Sequence, residues 1–348
     1  MADKHLIQYD DILRFSTACF QAMGTSDEGA RIVSEHLSLN NLYGHDSHGM
    51  IRIPQYYDAT QVEFCNATAV PEILRESDTT AVIEGHRAWG QVAAYQATEM
   101  AIAKAKKHGV SAVTLRNCYH LGRAGAFTQQ AAQEGFIAQF YCGCFGGSRL
   151  APWGGTEARL STNPMSIAIP TRGEPVLIDL TTCAMPEGKI RVARNSGAEL
   201  PLGILLDRDG KDTTNPADLY DGGSILPLGG TLMGHKGYAL SLAVELLGSI
   251  LSGGGPSWPG RYQGNAAFIQ VVDPTTLEDR ETFYDACEEV FKNMRESPRK
   301  EGVEEIFLPG EIETRRELER RQTGIPVDAT TFGLLEDTAK TLGVEFDI

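Results

Sequence analysis

The sequence predicts an α/β protein in which a sheet-rich centre, roughly residues 115–275, lies between helical ends. Strand-like and helix-like segments follow one another between residues 110 and 145, which is typical of an α/β unit. Short apolar segments separated by glycine and proline turns then fill residues 160–210. Both ends of the chain carry segments with the length and periodicity of helices.

The N-terminal part contains two segments with helix signals. Residues 25–44 begin with cap candidates such as Ser26, carry apolar residues three or four positions apart, and stop at Gly44. Residues 90–109 form a second segment of this kind and also end at a glycine. We therefore predict two helices here.

The central part predicts a series of strands. VSAVTLRN and FIAQFYCGC are strand-like and flank the helical segment AGAFTQQAAQEG. MSIAIP, PVLIDLTTC and LGILLDRDG follow as strands between glycine and proline turns, and NAAFIQVVDP is a further strand that Pro274 ends. We expect GGGPSWPG, residues 253–260, to be a loop.

Helices are also predicted after the centre. The nearly all-apolar residues 234–253 predict a long helix that is buried on most of its faces. Three further helices are expected at residues 281–297, 310–322 and 331–342.

Composition and charge argue against several classes of partner. The chain has 348 residues, of which 42% are hydrophobic, and a formal net charge of −15. Such a charge disfavours nucleic acid or an acidic membrane surface, whereas a small anion responds to local charge. No apolar run reaches the roughly 18–20 residues of a membrane span, and the N-terminus lacks a signal-peptide pattern. The seven cysteines form an odd set without repeated spacing, so we expect reduced thiols in a cytoplasmic protein.

The stretch GHDSHGMIRIPQYY is dense in polar side chains. If it is helical, His48, Arg52 and Tyr56 share a face, because residues four apart are neighbours on a helix. An arginine can bind a carboxylate with two hydrogen bonds, a histidine can move a proton near neutral pH, and a tyrosine hydroxyl can fix orientation. Two alternatives stay open. One is a metal site at His45, Asp46 and His48, although tetrahedral zinc needs three or four protein ligands and only two or three are close in the sequence. The other is a polar corner between helices.

Three later motifs are also candidates for function. In RNCYHLGRAG, His120 follows a strand and precedes a helix, where α/β proteins place their chemistry, although a structural histidine is the equal alternative. The turn at 161–164 offers hydroxyls and backbone N–H groups, and Asp179 at a strand end could accept hydrogen bonds from ribose hydroxyls. Lys236 follows three glycines at the start of the apolar helix, which suits phosphate binding unless it merely ends a loop.

Glycine and cysteine patterns narrow the possibilities further. No GxGxxG follows a strand and opens a helix, and no GxxxxGK[ST] occurs, so neither a Rossmann nor a P-loop phosphate site is expected. Cys142 and Cys144 form a CxC rather than a CxxC. We expect thiols in a buried strand, with a redox or metal role as the alternative.

Together and in this order, these motifs resemble the malate/L-lactate dehydrogenase family. The family includes ureidoglycolate, sulfolactate and 2,3-diketogulonate dehydrogenases and is distinct from the Rossmann-type lactate and malate dehydrogenases. The resemblance rests on stretches that span about residues 40–325: GHDSHGMIRIPQY, RNCYHLGRAGAF, PWGG, LSTNPMSIAIP, IDLTTC, LPLGG, GHKGYALSL and LPGE. It implies a non-Rossmann NAD(P)-binding sheet domain flanked by helical segments, NAD or NADP as the cofactor, and an intertwined homodimer.

The resemblance also implies roles for individual residues. His48 and His120 match the two histidines that give or take a proton. The matched substrate contacts are Ser47, Arg52, Tyr56 and Thr162. The matched cofactor contacts are Cys144, Asp179, Leu180, Thr181, His235, Lys236, Pro309, Gly310 and Glu311. No metal is implied.

The implied division of the chain has three parts. Residues 1–115 would hold the N-terminal helical, substrate and dimerisation segment, residues 116–280 the cofactor-binding domain, and residues 281–348 a helical segment that packs back on the N-terminal part.

The implied reaction is the NAD(P)-dependent interconversion of a small anionic 2-hydroxy acid and its 2-oxo acid. Arg52 would hold the carboxylate, and we expect His120 to be the acid/base, with His48 orienting the substrate or sharing the role. Two alternatives are the reduction of cyclic 2-imino acids such as piperideine-2-carboxylate, and metal-dependent hydrolysis. The turn after Thr182 reads CAMPEGKI where the family usually carries a small Ala-x-Gly-Lys run, and its Pro186 and Glu187 leave the choice between NAD and NADP open.

Overall fold

The computed structural model describes residues 4–257 and 264–348. The strands in these ranges are β1 (Lys4–Ile7), β2 (Glu72–Glu76), β3 (Thr80–Glu84), β4 (Val110–Cys118), β5 (Ile137–Phe145), β6 (Met165–Ile169), β7 (Val176–Leu180), β8 (Leu205–Leu206), β9 (Asp212–Thr213), β10 (Ser224–Ile225), β11 (Gly264–Val272) and β12 (Ile325–Asp328). The helices are α1 (Tyr9–Ala22), α2 (Asp27–Leu42), α3 (Arg52–Gln61), α4 (Gly90–His108), α5 (Gly125–Gln133), α6 (Glu187–Ser196), α7 (Gly230–Val244), α8 (Arg280–Arg295), α9 (Glu311–Thr323) and α10 (Ala329–Leu342).

Seven strands form the central sheet, in the order β2–β3–β4–β11–β5–β6–β7. β3 and β4 run parallel, and every other neighbouring pair in this sheet is antiparallel. β11 pairs with both β4 and β5, so a strand from late in the chain separates the two strands that flank α5. The predicted mixed α/β fold is confirmed, and its sheet is mostly antiparallel.

Helices α4 and α5 cover one face of this sheet. Leu115 of β4 and Phe140 of β5 are fully buried against alanines of α4 and the apolar side of α5. A π-helical segment, Glu245–Leu251, continues α7 and packs on the opposite face. There a Cβ on Gly143 would meet Ser249 Oγ at 2.0 Å, so only glycine permits this approach.

Both ends of the chain contribute to a second core. β1 pairs with β12, and helices α1, α2, α3 and α10 enclose buried residues that include Phe15, Leu37 and Leu335. Trp89, at the start of α4, is buried in the same core, and its Nε1 donates to Thr25 Oγ at 2.7 Å. This core fixes α3, which begins in the polar stretch of residues 44–57, beside the sheet.

The long apolar helix differs from its prediction. Only one side of α7 is buried, along Gly234, Gly237, Ser241 and Val244, whereas Leu232 is 85% exposed. The other large apolar residues of α7 and the π-helical segment that are exposed are Met233, Leu240, Leu242, Leu246, Ile250 and Leu251. The expectation of burial on most faces was therefore wrong for a single chain. Small residues let one side of the helix approach its own chain closely, whereas the side that carries the large residues is exposed.

No helix within the described ranges is long and apolar enough to cross a membrane. All seven cysteines are free thiols, as predicted. The predicted loop at 253–260 lies partly outside the described residues.

Candidate functional site

A cleft of about 320 Å³ opens between α3, α6 and the ends of the central strands. Motifs that are far apart in the sequence meet here. The lining residues are Arg52, Gln55, Tyr119, His120, Cys144, Phe145, Gly147, Arg149, Ser161, Thr162, Glu187, Arg191, Gly264 and Asn265.

Two histidine rings stack at the edge of this cleft. The ring centroids of His48 and His120 lie 5.6 Å apart with an interplanar angle of 23°. His48 belongs to a short 3-10 turn, Asp46–His48, and Asn40 Nδ2 donates to its carbonyl oxygen at 3.0 Å. A Cβ on Gly49 would meet Asn41 Oδ1 at 2.1 Å, so this turn requires glycine at its end.

His120 has a buried hydrogen-bonding partner. The hydroxyl of Tyr56 lies 2.8 Å from His120 Nδ1, and Gln91 Nε2 donates to the same hydroxyl oxygen at 2.8 Å. Because the phenol oxygen accepts from Gln91, its own hydrogen is available to Nδ1. This arrangement favours the neutral tautomer of His120 that carries its proton on Nε2. Tyr56 itself is fully buried and does not line the cleft.

Both imidazoles are held in their neutral form. Burial, together with the nearby guanidinium of Arg52, lowers the pKa of His48 to about 3. Burial is also the main cause that lowers the pKa of His120 well below its ordinary value, followed by the charges of Arg52 and His48. An anion bound beside Arg52 would offset part of this effect and raise both pKa values.

Arg52 is a half-buried cation without an anionic partner. Its Nε donates to the Ser47 carbonyl oxygen at 2.6 Å and its Nη1 to Gln55 Oε1 at 2.5 Å. Within residues 4–257 and 264–348, no carboxylate forms an ion pair with it. Burial lowers the pKa of this guanidinium, and a buried charge of this kind is stabilised by a bound anion. Ser47 Oγ lies 3.0 Å from His48 Nδ1 and so links the two side chains.

A buried network holds the turn that carries Thr162. Glu245 accepts hydrogen bonds from Asn163 Nδ2 at 3.0 Å and from the Ser257 hydroxyl at 2.6 Å. Asn163 adopts a left-handed conformation with φ of 40°, which is unusual for a residue with a side chain. Its buried Oδ1 has no hydrogen-bond donor among the described residues.

Cys144 lines this cleft, whereas the other residues matched to cofactor contacts lie outside it. Asp179 is half-buried and accepts a hydrogen bond from the Gly125 backbone N–H at 3.0 Å, at the start of α5. Thr181 Oγ1 accepts from the Cys183 thiol, and Leu180 pairs with Met165.

The turn at 309–311 makes local contacts. The Pro309 carbonyl accepts from the Leu177 N–H at 2.9 Å, Gly310 precedes α9, and Glu311 accepts from the Leu308 N–H at 2.7 Å.

The placement of Lys236 corrects one expectation. His235 and Lys236 are exposed and lie inside α7, because the helix already begins at Gly230 after Gly229 takes a left-handed conformation. Lys236 is therefore not at the helix N-terminus, where unpaired backbone N–H groups could join it in binding a phosphate.

The proposed metal ligands are engaged elsewhere. Asp46 binds Arg320 with two hydrogen bonds, of 2.6 and 3.0 Å, and His45 Nε2 lies 3.6 Å from Glu313. In the part of the chain that the structure describes, no group of three His, Cys, Asp or Glu side chains could hold a metal ion.

Sequence reasoning missed two arginines in the cleft. Arg149 and Arg191 join Arg52 in its lining, and Glu187 is the one carboxylate among the lining residues named above. The cleft is therefore positively charged in a chain with a net charge of −15. The signal that could have found Arg191 is its helical spacing from Glu187, which places both on one face of α6.

Comparison with known families matches residues 7–336 to the malate/L-lactate dehydrogenase family. Hydroxycarboxylate dehydrogenase B of Escherichia coli K12 is 34% identical, over 99% of this chain and 96% of its own length. L-sulfolactate dehydrogenase of Methanocaldococcus jannaschii is also 34% identical, over 93% of each chain.

Solved structures agree with these sequence relatives. Malate dehydrogenase from Entamoeba histolytica superposes with a TM-score of 0.94 at 29% identity, over 99% of this chain and all of its own. A Δ1-piperideine-2-carboxylate reductase from Pseudomonas syringae superposes with a TM-score of 0.85 at 27% identity, over 96% of this chain and all of its own.

Proposed function

Since the chain belongs to the malate/L-lactate dehydrogenase family, we propose that it interconverts a small 2-hydroxy acid and its 2-oxo acid with NAD or NADP. The observation that carries this proposal is that the Arg52 guanidinium, which forms no ion pair with a described residue, lines one cleft with His120, whose ring stacks on that of His48. This arrangement combines a carboxylate binder with groups that can move a proton.

The residues around the cleft fit a nicotinamide cofactor. Ser161 and Thr162 line the cleft, and a carboxamide N–H is a donor that suits their hydroxyl oxygens. The guanidinium groups of Arg149 and Arg191 suit the negative charge of a dinucleotide or an acidic substrate. A bound nicotinamide supplies or accepts the hydride.

In this proposal Arg52 orients the substrate. Its guanidinium binds the substrate carboxylate, and the hydrogen bond to the Ser47 carbonyl holds the guanidinium in place. The bound carboxylate also offsets the positive charge next to both imidazoles. Substrate binding therefore raises the pKa of His120 and prepares it to carry a proton.

His120 is the proposed acid/base. Its Nδ1 is hydrogen-bonded to the Tyr56 hydroxyl, which leaves Nε2 for the substrate. During reduction the protonated imidazole donates its Nε2 proton to the carbonyl oxygen and becomes neutral, with its remaining proton on Nδ1 donated to the Tyr56 oxygen. During oxidation the unprotonated Nε2 takes the hydroxyl proton and the imidazole becomes protonated again. His48 stacks on His120 and is held through Ser47, so we assign it to orienting the substrate.

The substrate we propose carries a second acidic group. Arg191 forms no hydrogen bond or ion pair with any described residue, and the one side-chain hydrogen bond of Arg149 goes to the Ser148 carbonyl at 3.2 Å. Two relatives are named for malate and sulfolactate, which both carry two acidic groups.

We further propose that two copies of the chain associate. The side of α7 and the π-helical segment that carries exposed apolar residues, from Leu232 to Leu251, is unfavourable in contact with water. Two copies can bury these equivalent apolar surfaces against each other. Light scattering on the purified protein should give twice the mass of one chain. A monomer at micromolar concentration would contradict this assignment.

A panel of acids tests the reaction. Oxaloacetate, sulfopyruvate, pyruvate and the cyclic imine piperideine-2-carboxylate are each supplied with NADH and with NADPH, and cofactor oxidation is followed by absorbance. We expect turnover of the 2-oxo acids, fastest with the dianions. Turnover of the imine alone would instead favour the reductase activity for which the Pseudomonas syringae structure is named. No turnover of any acid with either cofactor would overturn the proposed function.

A further inference from the structure

We propose that Cys142 and Cys144 form an oxidisable thiol pair, in which a hydroperoxide oxidises Cys144 and Cys142 then closes a disulfide at the floor of the cleft. The two sulfur atoms lie 3.9 Å apart. Cys144 is half-buried and lines the cleft, whereas Cys142 is 2% exposed and lies behind it. The Cys144 thiol is therefore accessible to a small oxidant, and the buried Cys142 thiol lies within contact distance of it.

The local backbone permits the two sulfur atoms to approach. Both cysteines lie on β5, where alternate residues face the same side of the sheet. Gly143 between them has no side chain, and the π-helical segment packs directly on it. A disulfide requires a sulfur–sulfur distance of about 2.05 Å, so the side chains must move together from 3.9 Å.

The surroundings make Cys144 the reactive thiol. Its hydrogen bond with the Cys142 thiol is the main cause that lowers the pKa of Cys144, and contacts with Ser161 and Asn265 lower it further. The same hydrogen bond and burial raise the pKa of Cys142. The other five cysteines, for which burial raises the pKa, are Cys19, Cys65, Cys118, Cys183 and Cys287. Since the thiolate is the form that attacks peroxides, oxidation should begin at Cys144.

The chemistry balances with one hydroperoxide. The Cys144 thiolate attacks a peroxide oxygen, the O–O bond breaks, and the departing oxygen takes a proton and leaves as water or an alcohol. Cys144 is then a sulfenic acid. The Cys142 sulfur attacks the Cys144 sulfur, the S–O bond breaks, and the hydroxyl leaves as water with the Cys142 proton. Two thiols lose two electrons in total, and the peroxide gains them.

The disulfide would disturb the cleft through Asn265. Asn265 Nδ2 donates to the Gly143 carbonyl at 3.3 Å, and Asn265 Oδ1 accepts from the Leu121 N–H at 3.1 Å. When Cys144 shifts towards Cys142, the neighbouring Gly143 carbonyl shifts with it and displaces Asn265. Asn265 holds the loop next to His120 through the Leu121 N–H. Disulfide formation stands without the proposed function, whereas the loss of turnover rests on it.

Mass spectrometry tests the bond directly. The full-length protein is treated with hydrogen peroxide and alkylated, and its peptides are mapped. We expect a peptide containing residues 142–144 that has lost two hydrogen atoms and has escaped alkylation, with 2-oxo acid reductase activity falling in proportion. Dithiothreitol should restore both the thiols and the activity.

Variants separate the roles of the two thiols. C142S should keep its activity before treatment, and peroxide should leave on Cys144 a sulfenic acid that dimedone traps. C287S removes a half-buried thiol on α8 and should respond as the unaltered protein does. If C142S does not fold, C142A and the peptide map of the unaltered chain serve instead.

Two results would overturn the proposal. One is the absence of a disulfide between Cys142 and Cys144 after oxidation, and the other is full activity when that disulfide is present. Because the peptide map needs no substrate, a failure of the proposed function cannot imitate the first result.

Discussion

The hydroxyl of Tyr56 lies 2.8 Å from Nδ1 of His120, although 64 residues separate them in the chain. Gln91 donates to the same hydroxyl from the N-terminal turn of α4, whose first residue, Gly90, packs against the backbone of the loop that contains His120. A Cβ on Gly90 would meet the Tyr119 carbonyl at 2.3 Å. In the proposed function, Tyr56 therefore acts on the reaction through His120 and is a positioning residue.

Replacing Tyr56 with phenylalanine tests this relationship. The buried hydrogen bond is worth roughly 1.5–3 kcal/mol if it supports a charged or reacting group, so kcat should fall about 10- to 100-fold with little change in cofactor KM. The phenol donates to the neutral imidazole. Its loss should therefore raise the pKa of His120 in the free enzyme and move the acidic limb of the pH profile of kcat/KM for oxidation of the 2-hydroxy acid to higher pH.

Tyr57→Phe is the matched control for this variant. Tyr57 is the next residue of α3, and its hydroxyl makes no hydrogen bond with any described residue. It should leave both kcat and the pH profile unchanged. A Tyr56→Phe enzyme whose kcat falls with no shift of the acidic limb would mean that Tyr56 only supports the packing of the loop.

The sequence predicted some of these features because their causes are local. Ser26 was expected to cap α2, and its hydroxyl accepts from the Gly29 N–H at 3.2 Å, since capping involves residues only three apart. The contact of Tyr56 with His120 depends on how α3 and β4 pack, which no spacing within either segment reveals. β11 between β4 and β5 is a similar case, because its pairing is set by register and core packing across more than one hundred residues.

Two sequence interpretations failed for physical reasons that are also specific. Lys236 was expected at the N-terminus of the apolar helix, but Gly229 takes the left-handed conformation and α7 starts directly after it, so that Lys236 lies inside the helix. The apolar composition of that helix predicted burial on most faces, but only one side is buried within the single chain. Composition alone does not indicate whether a second copy covers the other side.

Arg52→Lys tests the carboxylate site. Lysine keeps the charge and loses the planar fork that can form two parallel hydrogen bonds. We expect the KM for the 2-oxo acid to rise at least about tenfold, since each bond to a charged group contributes roughly 1.5–3 kcal/mol. The KM for the cofactor should change little. Arg31→Lys, at an exposed pair with Glu35 on α2, should leave both constants unchanged. If the substrate KM of Arg52→Lys is unchanged, Arg52 does not bind the substrate carboxylate.

His36 should make the protein less stable in acid. Burial, followed by the charge of Arg123, lowers its pKa from 6.5 to about 3, and its Nε2 accepts from the Arg123 N–H at 3.0 Å. Below pH 6.5 the unfolded chain binds a proton at this histidine while the folded chain does not until pH falls to about 3. The free energy of unfolding therefore decreases as pH falls through this window, by up to about 1.4 kcal/mol per pH unit from this group.

The measurement compares urea unfolding at pH 7.5 and pH 5.0. In the unaltered chain the free energy of unfolding should be lower at pH 5.0 than at pH 7.5. In His36→Gln this difference should be smaller by about 2 kcal/mol. His108→Gln replaces an exposed histidine at the end of α4 and should keep the full difference. An equal difference in all three proteins would show that His36 is not the group that titrates.

Arg191→Gln tests whether the cleft recognises a second acidic group. In the proposed function Arg191 binds the distal carboxylate or sulfonate, so kcat/KM for oxaloacetate should fall about 10- to 100-fold, as expected for one hydrogen-bonded charge pair. Pyruvate has no distal acid, and its kcat/KM should stay within about twofold, a difference of under 1 kcal/mol. Arg194→Gln is the control, because it removes another guanidinium from the same helix, one that stacks on the Tyr220 ring at 4.1 Å from the centroid. It should leave kcat/KM unchanged for both substrates. If Arg191→Gln lowers kcat/KM equally for both acids and raises the cofactor KM, Arg191 binds the dinucleotide. Arg149 is then the residue expected to bind the second acidic group.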